Sequence, residues 1–207
     1  MPQGRHHPPM QPLKIVVLGR DGILNEYRED HVKSPEEWQP VPGALEAVAR
    51  LNHTGWHVVV ATNQSGIGRG MIDMASVNAV HAHMHQQLIA FGGRIDAVFF
   101  CPHAPEEACD CRKPLPGMLL DIARRYGVDP ERLVMASDTL RDLQAAQAAG
   151  CEPHLVLSGR AAALDGPARA RMVEQVPGTR VHASLSAFVD HLLARGHASD
   201  SSMGHLR

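Results

Sequence analysis

With 44% hydrophobic and 20% charged residues, a chain of 207 residues carries enough apolar material for one folded core, which excludes a disordered protein. A net charge of -2 gives no general attraction to nucleic acid or anionic membranes, and no apolar run approaches the roughly 20 residues that span a bilayer. The opening MPQGRHHPPM lacks the apolar centre of a signal peptide, so a cytoplasmic protein is expected.

The first predicted element is the strand KIVVL (14–18), which runs straight into LGRDGILN. The pattern GALEAVARLNH then predicts a helix, followed by the strand HVVVAT (57–62) and the helix ASVNAVHAHMHQQLIA. Further strands are IDAVFF (95–100), RLVMAS (132–137) and PHLVLS (153–158). Between them PGMLLDIARRYG and LRDLQAAQAAG read as helices, the first opened by Pro116 and Gly117, the second closed by Gly150. Alternating strand and helix predict a parallel sheet covered on both faces. Residues 13–195 are expected to form this domain, with loose tails at 1–12 and 196–207. The GRHHPP stretch reads as part of the first tail rather than a metal site.

Ligands of open α/β sheets bind beyond the carboxyl ends of the strands. Here the first four strands end in LGRDGILN, TNQSGIGRG, CPHAPEEACDCRKP and ASDTLRD, all polar and punctuated by glycine. The third loop carries Cys101, His103, Cys109 and Cys111, and three thiolates with one imidazole make a closed, structural zinc shell. Cys151 follows a helix and is expected to be a small buried hydrophobe. His81, His83 and His85 alternate too closely for one helix face and are expected at a solvated surface.

This set of motifs resembles the haloacid dehalogenase superfamily of phosphatases over roughly residues 13–195. More closely it is similar to the D-glycero-D-manno-heptose 1,7-bisphosphate 7-phosphatase family, through RDG with Asn25, TNQSGIGRG, CPH before CDCRKP, and Ser137-Asp138 with Asp142. The histidinol-phosphate phosphatases share most of these features, and the stretch YREDHVKSPEEW should choose between the two substrates. The resemblance implies a single Rossmann-like, three-layer α/β domain, monomeric, acting on a small sugar phosphate, with a zinc-binding loop and a catalytic Mg²⁺. By this likeness Asp21 is the acid/base, and Asp21 and Asp138 hold Mg²⁺. Thr62 and Lys113 grip the transferring phosphate. Asn63, Gln64, Ser65, Arg112, Tyr27 and Arg28 border the substrate, and Asp142 supports the loop. Removing Lys113 is expected to weaken anion binding far more than stability.

Two positions depart from the family pattern. The first motif has an aspartate nucleophile where this chain has Gly19, and the fourth has glycine where this chain has Ser137. Glycine can neither attack phosphorus nor bind a metal. Asp21 cannot replace the nucleophile, because two residues of strand displace it by roughly 6–7 Å. The expectation is a phosphatase scaffold with a weakened Mg²⁺ site and a disabled covalent step. A silent sugar-phosphate-binding protein, and water attack assisted by Asp21, remain as alternatives.

Overall fold

The computed structural model describes residues 11–202, with side chains to residue 196. Its core strand β1 (Lys14–Leu18) is buried from its second residue onward. Such a continuous apolar run belongs in a parallel sheet covered on both faces. Five more strands follow: β2 (Trp56–Asn63), β3 (Ala97–Cys101), β4 (Leu133–Ser137), β5 (Glu152–Val156) and β6 (Arg180–His182). All pair in parallel, in the order β3-β2-β1-β4-β5-β6.

Side-chain alternation divides the core. Val16, Leu18, Val58, Val60, Val134 and Ala136 face one layer, which contains α1 (Ala44–His53), α3 (Met74–Ala90) and α7 (Leu185–Ser202). Ile15, Val17, Val59, Ala61, Leu133 and Met135 face the other, against α4 (Gly117–Tyr126) and α5 (Leu140–Ala149). This is the expected three-layer α/β sandwich. Two further helices, α2 (Ser65–Gly68) and α6 (Gly166–Gln175), complete the described chain.

The order reverses direction between β1 and β4, so their carboxyl ends open the crevice where such sheets bind ligands. The ends of helices obey local rules. Asp73 caps α3 by accepting from the Ser76 amide at 2.7 Å, and Gly150 closes α5 with a positive φ of 85°.

Three expectations need correction. Helix α7 continues to Ser202, so the chain from Gly196 to that point is helical rather than a loose tail. Residues 1–10 and 203–207 lie outside the described residues, GRHHPP among them. His81 is buried, because it shares the inward stripe of α3 with Val77, Val80, Met84 and Leu88. His83 packs edge-on against the ring of buried Trp38, with centroids 5.8 Å apart. Cys151 is buried as expected, and burial pushes its thiol up to about 12.

Candidate active site

The strand ends converge on one cavity. Gly19, Arg20 and Asp21 come from the end of β1, and Thr62 and Asn63 from the end of β2. Lys113 enters on the loop after β3, Arg141 and Asp142 in the first turn of α5, and Arg160 just after β5.

Asp21 is held on all sides. Its Oδ1 accepts from Arg20 Nη2 at 2.8 Å, Arg20 Nε at 3.2 Å and Asn25 Nδ2 at 3.0 Å, while Oδ2 accepts from Gln64 Nε2 at 3.0 Å. Burial would raise this carboxyl, but the Arg20 charge and the hydrogen bonds from Asn25, Arg20 and Gln64 hold it below its ordinary value. Arg20 is itself buried and donates to His81 Nε2 at 3.2 Å. A histidine nitrogen that accepts from an arginine must be neutral, and burial together with Arg20 pushes His81 down to about 4.

Position 19 continues the ladder from β1 through its amide, which donates to the Ala136 carbonyl at 3.1 Å. Gly19 has no left-handed backbone that would require glycine. A Cβ there would meet Ser137 Oγ at 3.1 Å, Ile23 Cγ1 at 3.4 Å and Asp142 Oδ2 at 3.5 Å. Ser137 is therefore the one tight neighbour, and its hydroxyl donates to Asp142 in a short hydrogen bond.

The opposite wall is built to grip. Asn63 clamps the Lys113 backbone twice, donating to its carbonyl at 3.2 Å and accepting from its amide at 3.1 Å. Lys113 Nζ then donates to the Ala61 carbonyl at 2.9 Å and pairs with Asp142 Oδ2 at 2.9 Å. Asp142 is buried, which would raise it, but Lys113 and Ser137 outweigh that and keep it below its ordinary value. This pairing adds a structural role to Lys113. Its truncation would strand a buried carboxylate, so stability should fall along with anion binding. Gln64 also donates to Thr62 Oγ1 at 3.0 Å, so it positions Asp21 and Thr62 rather than standing free for a ligand.

Asp138 is not a helix cap; Thr139 caps α5 instead. The Asp138 carboxylate goes to Arg160. Oδ2 accepts from the Arg160 amide at 2.8 Å and Nε at 3.0 Å, and Oδ1 from Nη2 at 3.1 Å. Burial pushes Asp138 above its ordinary value, against the pull of Arg160. Arg160 Nη2 also donates to the Asp21 carbonyl at 3.1 Å, and its Cζ lies 4.5 Å from the centre of the Tyr27 ring. These two acceptors belong to Asp21 and Asp138, the residues to which the resemblance assigns Mg²⁺. Both already serve a guanidinium, and Gly19 supplies no further carboxylate. Mg²⁺ demands near-octahedral oxygen ligands at about 2.0–2.1 Å, and the residues as arranged do not fit it.

The Cys/His clip does fit a metal. One ligand atom from each of Cys101, His103, Cys109 and Cys111 lies within 4.8 Å of the others. Cys101 and Cys109 Sγ are 3.8 Å apart, which is the edge of a tetrahedron with bonds of about 2.3 Å, the length of a zinc–thiolate bond. His103 Nδ1 lies 3.4 Å from Cys101 Sγ and 3.3 Å from Cys111 Sγ. Burial and the neighbouring Cys101 and Cys109 push the Cys111 thiol up to about 12, whereas hydrogen bonds hold Cys109 below its ordinary value against burial. A bound cation would favour the thiolate form of all three. The clip is tied to the cavity through Gln64, whose amide donates to the Cys101 carbonyl at 2.8 Å.

Some expected residues stand apart. Arg28 turns away to Asp30 and Glu37, at 2.9 and 3.3 Å. Ser65 is buried at the start of α2 and Arg112 is half-buried; neither lines the cavity. Tyr27 reaches the site only through its stack on Arg160. Arg20, Arg141, Arg160 and His81 were not anticipated. The signal for Arg160 was its place at the carboxyl end of the fifth strand, directly after a glycine.

A parallel sheet with these strand-end motifs defines a phosphoryl-handling α/β hydrolase, and residues 12–150 match the haloacid dehalogenase-like hydrolase family. A heptose-1,7-bisphosphate 7-phosphatase of Bordetella bronchiseptica is 49% identical over 181 residues, which cover 87% of this chain and 98% of that protein. The crystal structure of the B. bronchiseptica phosphatase with magnesium and phosphate superposes with a TM-score of 0.81 at 48% identity, covering 88% and 99% of the two chains. That of the Burkholderia thailandensis phosphatase gives 0.66 at 48% identity, covering 87% and 98%. The chain belongs to the haloacid dehalogenase-like hydrolases and, within them, to the D-glycero-D-manno-heptose-1,7-bisphosphate 7-phosphatase family.

Proposed function

We propose that this protein binds heptose 1,7-bisphosphate in the Asp21–Lys113 cavity but lacks the covalent step of phosphate removal. One observation carries the reading: the cavity keeps Asp21, Thr62 and Lys113 around a position 19 that has no side chain. The likeness to the Bordetella phosphatase points to the sugar bisphosphate, and so to heptose metabolism of the lipopolysaccharide core. Lys113, Arg141 and Arg160 offer charge to the phosphate, and the Thr62 hydroxyl offers a donor. Asp21, held ionised by its neighbours, would accept a proton rather than give one at neutral pH. Cys101, His103, Cys109 and Cys111 would hold one structural zinc, which fixes the loop that delivers Lys113.

The test is to titrate the full chain with heptose 1,7-bisphosphate by calorimetry and to follow phosphate release in parallel. Saturable binding without release is expected, since loss of a nucleophile typically lowers rate by several orders of magnitude. Brisk release would instead favour water attack assisted by Asp21. Absence of binding would dismiss the sugar bisphosphate as ligand.

A further inference from the structure

Each carboxylate lining this cavity, and Asp138 just behind Arg160, already has its own cation. Asp21 pairs with Arg20 at 2.8 Å, Asp142 with Lys113 at 2.9 Å, and Asp138 with Arg160 at 3.0 Å. Arg141 lines the cavity as well and has no carboxylate partner among the described residues. With the three pairs neutralised, the surplus charge is positive. The arrangement favours an anion over a divalent cation.

Arg160 is not a loose surface side chain that has fallen into the site. Its loop is fastened to the first motif by Ser158 Oγ, which donates to the Gly22 carbonyl at 2.6 Å. The two backbones cross at glycines. A Cβ on Gly159 would lie 2.4 Å from the Gly22 Cα, and one on Gly22 would lie 2.1 Å from Asp138 Oδ2. Both have positive φ, 51° and 84°, so no other residue fits either place easily. This close crossing carries the Arg160 guanidinium onto the Asp138 carboxylate and the Asp21 carbonyl. Nε and Nη2 are used there, while Nη1 makes no hydrogen bond among the described residues. A planar fork with spare N–H groups is well suited to a phosphate oxygen.

We propose that Arg160 takes the place of the divalent cation, so that the cavity binds the phosphate group of its ligand without metal. The inference rests on the sugar-phosphate reading above but makes a separate claim, because that reading is indifferent to how the charge of the phosphate is balanced. The guanidinium supplies a fixed positive charge between Asp138 and the anion, with Lys113 and Arg141 on the other sides. It also fits the departure at position 19. A site that has lost the carboxylate at position 19 loses its hold on Mg²⁺, and a tethered cation keeps the remaining carboxylate compensated.

The experiment is calorimetric titration of the zinc-loaded full chain with inorganic phosphate, then with heptose 1,7-bisphosphate. Each is run in buffer stripped of magnesium on a resin and in buffer with millimolar MgCl₂. A resin replaces a soluble chelator so that the Cys/His clip is not challenged. Affinities should agree within about twofold between the two buffers. Arg160→Ala should weaken binding in magnesium-free buffer by about tenfold or more. Asp138→Asn, nearly isosteric, should leave binding within about threefold, because it releases the guanidinium rather than removing it. A metal site would behave in the opposite way and lose binding in Asp138→Asn. Binding of either anion only when magnesium is present would overturn the inference and leave the sugar-phosphate reading standing. Binding of neither anion in either buffer would overturn both.

Discussion

The two walls of the cavity have had different fates. The wall formed by the end of β2 and the loop after β3 holds Thr62, Asn63, Gln64 and Lys113, each fixed by at least one further hydrogen bond. The wall formed by the ends of β1, β4 and β5 carries Gly19, Ser137 and the Asp138–Arg160 pair. The first wall offers an anion the Lys113 ammonium and the Thr62 hydroxyl. The second is where the family resemblance puts a nucleophile and a metal, and there this chain has Gly19 and an Asp138 carboxylate paired with Arg160. On the proposed function, holding a phosphate and cleaving it rest on separable sets of residues. Fixed charge and oriented donors suffice for the first, whereas the second needs a side chain that forms a bond to phosphorus.

The largest expected effect comes from rebuilding the second wall. Gly19→Asp alone should give little phosphate release, because its Cβ meets Ser137 Oγ at 3.1 Å and Arg160 holds Asp138. Adding Ser137→Gly removes the tight neighbour, and adding Arg160→Ala frees the carboxylate. The triple variant should gain magnesium-dependent release of phosphate from heptose bisphosphate by several orders of magnitude over the parent. Beryllium fluoride should then bind tightly to the triple variant but not to the parent. If Gly19→Asp by itself restores full turnover, neither Ser137 nor Arg160 obstructs the site, and the contrast between the walls reduces to one residue.

A smaller effect tests the first wall. The clip delivers Lys113, so its loss should loosen the grip on the anion as well as the fold. Metal analysis should find about one zinc per chain. Stripping it should cost on the order of several kcal/mol and lower Tm by about 10 °C. Cys109→Ser should do the same without chelator. A metal-free preparation of unchanged Tm would show that the loop folds unaided.

How much of this was readable beforehand depended on how locally each feature is encoded. The clip, Asp21 and Lys113 lie at the ends of short apolar strands, and KIVVL marks β1 residue for residue. The clip is contiguous, so its residue types and spacing place it, whereas Asp21 and Lys113 were placed by the likeness of their contiguous motifs to the family's. Arg160 is different. It follows β5 by four residues, and its partners Asp138 and Asp21 are 22 and 139 positions away in sequence. Only the strand order, with β5 beside β4 and β4 beside β1, brings them together. β6 has three residues and α6 buries none, so neither writes a periodic pattern. His81 was misplaced because three alternating histidines look like a polar run. The stripe that buries it is completed by Val77, Met84 and Leu88 at helical spacing.

That buried histidine supplies the smallest effect and a way to sharpen the comparison, since it links the core to Asp21 through Arg20. His81 Nε2 accepts from Arg20 Nη1 at 3.2 Å, and Arg20 Nη2 holds Asp21 Oδ1 at 2.8 Å. Burial, followed by the Arg20 charge, pushes His81 down to about 4, below its ordinary 6.5. The folded protein therefore binds a proton less readily at this site than the unfolded chain does. The contribution is fully present above pH 6.5 and is lost as pH falls from there towards 4; it amounts to at most about 3 kcal/mol. His182, pushed down to about 4 by burial and by His154, adds a slope of the same sign. Asp21 and Asp142, held below their ordinary values, lose their contributions only as pH falls below about 3.8. Denaturant unfolding between pH 7 and 4 should thus show stability falling with acid. His81→Gln keeps an acceptor for Arg20 but has no proton to gain, so it should remove about half of that slope while preserving affinity for phosphate at pH 7. His81→Leu, which leaves Arg20 Nη1 without its acceptor, should weaken the hold on Asp21 as well. If wild type and His81→Gln lose stability in parallel, the pH dependence belongs to the His154–His182 cluster, and the support of Asp21 by His81 carries no titrating charge.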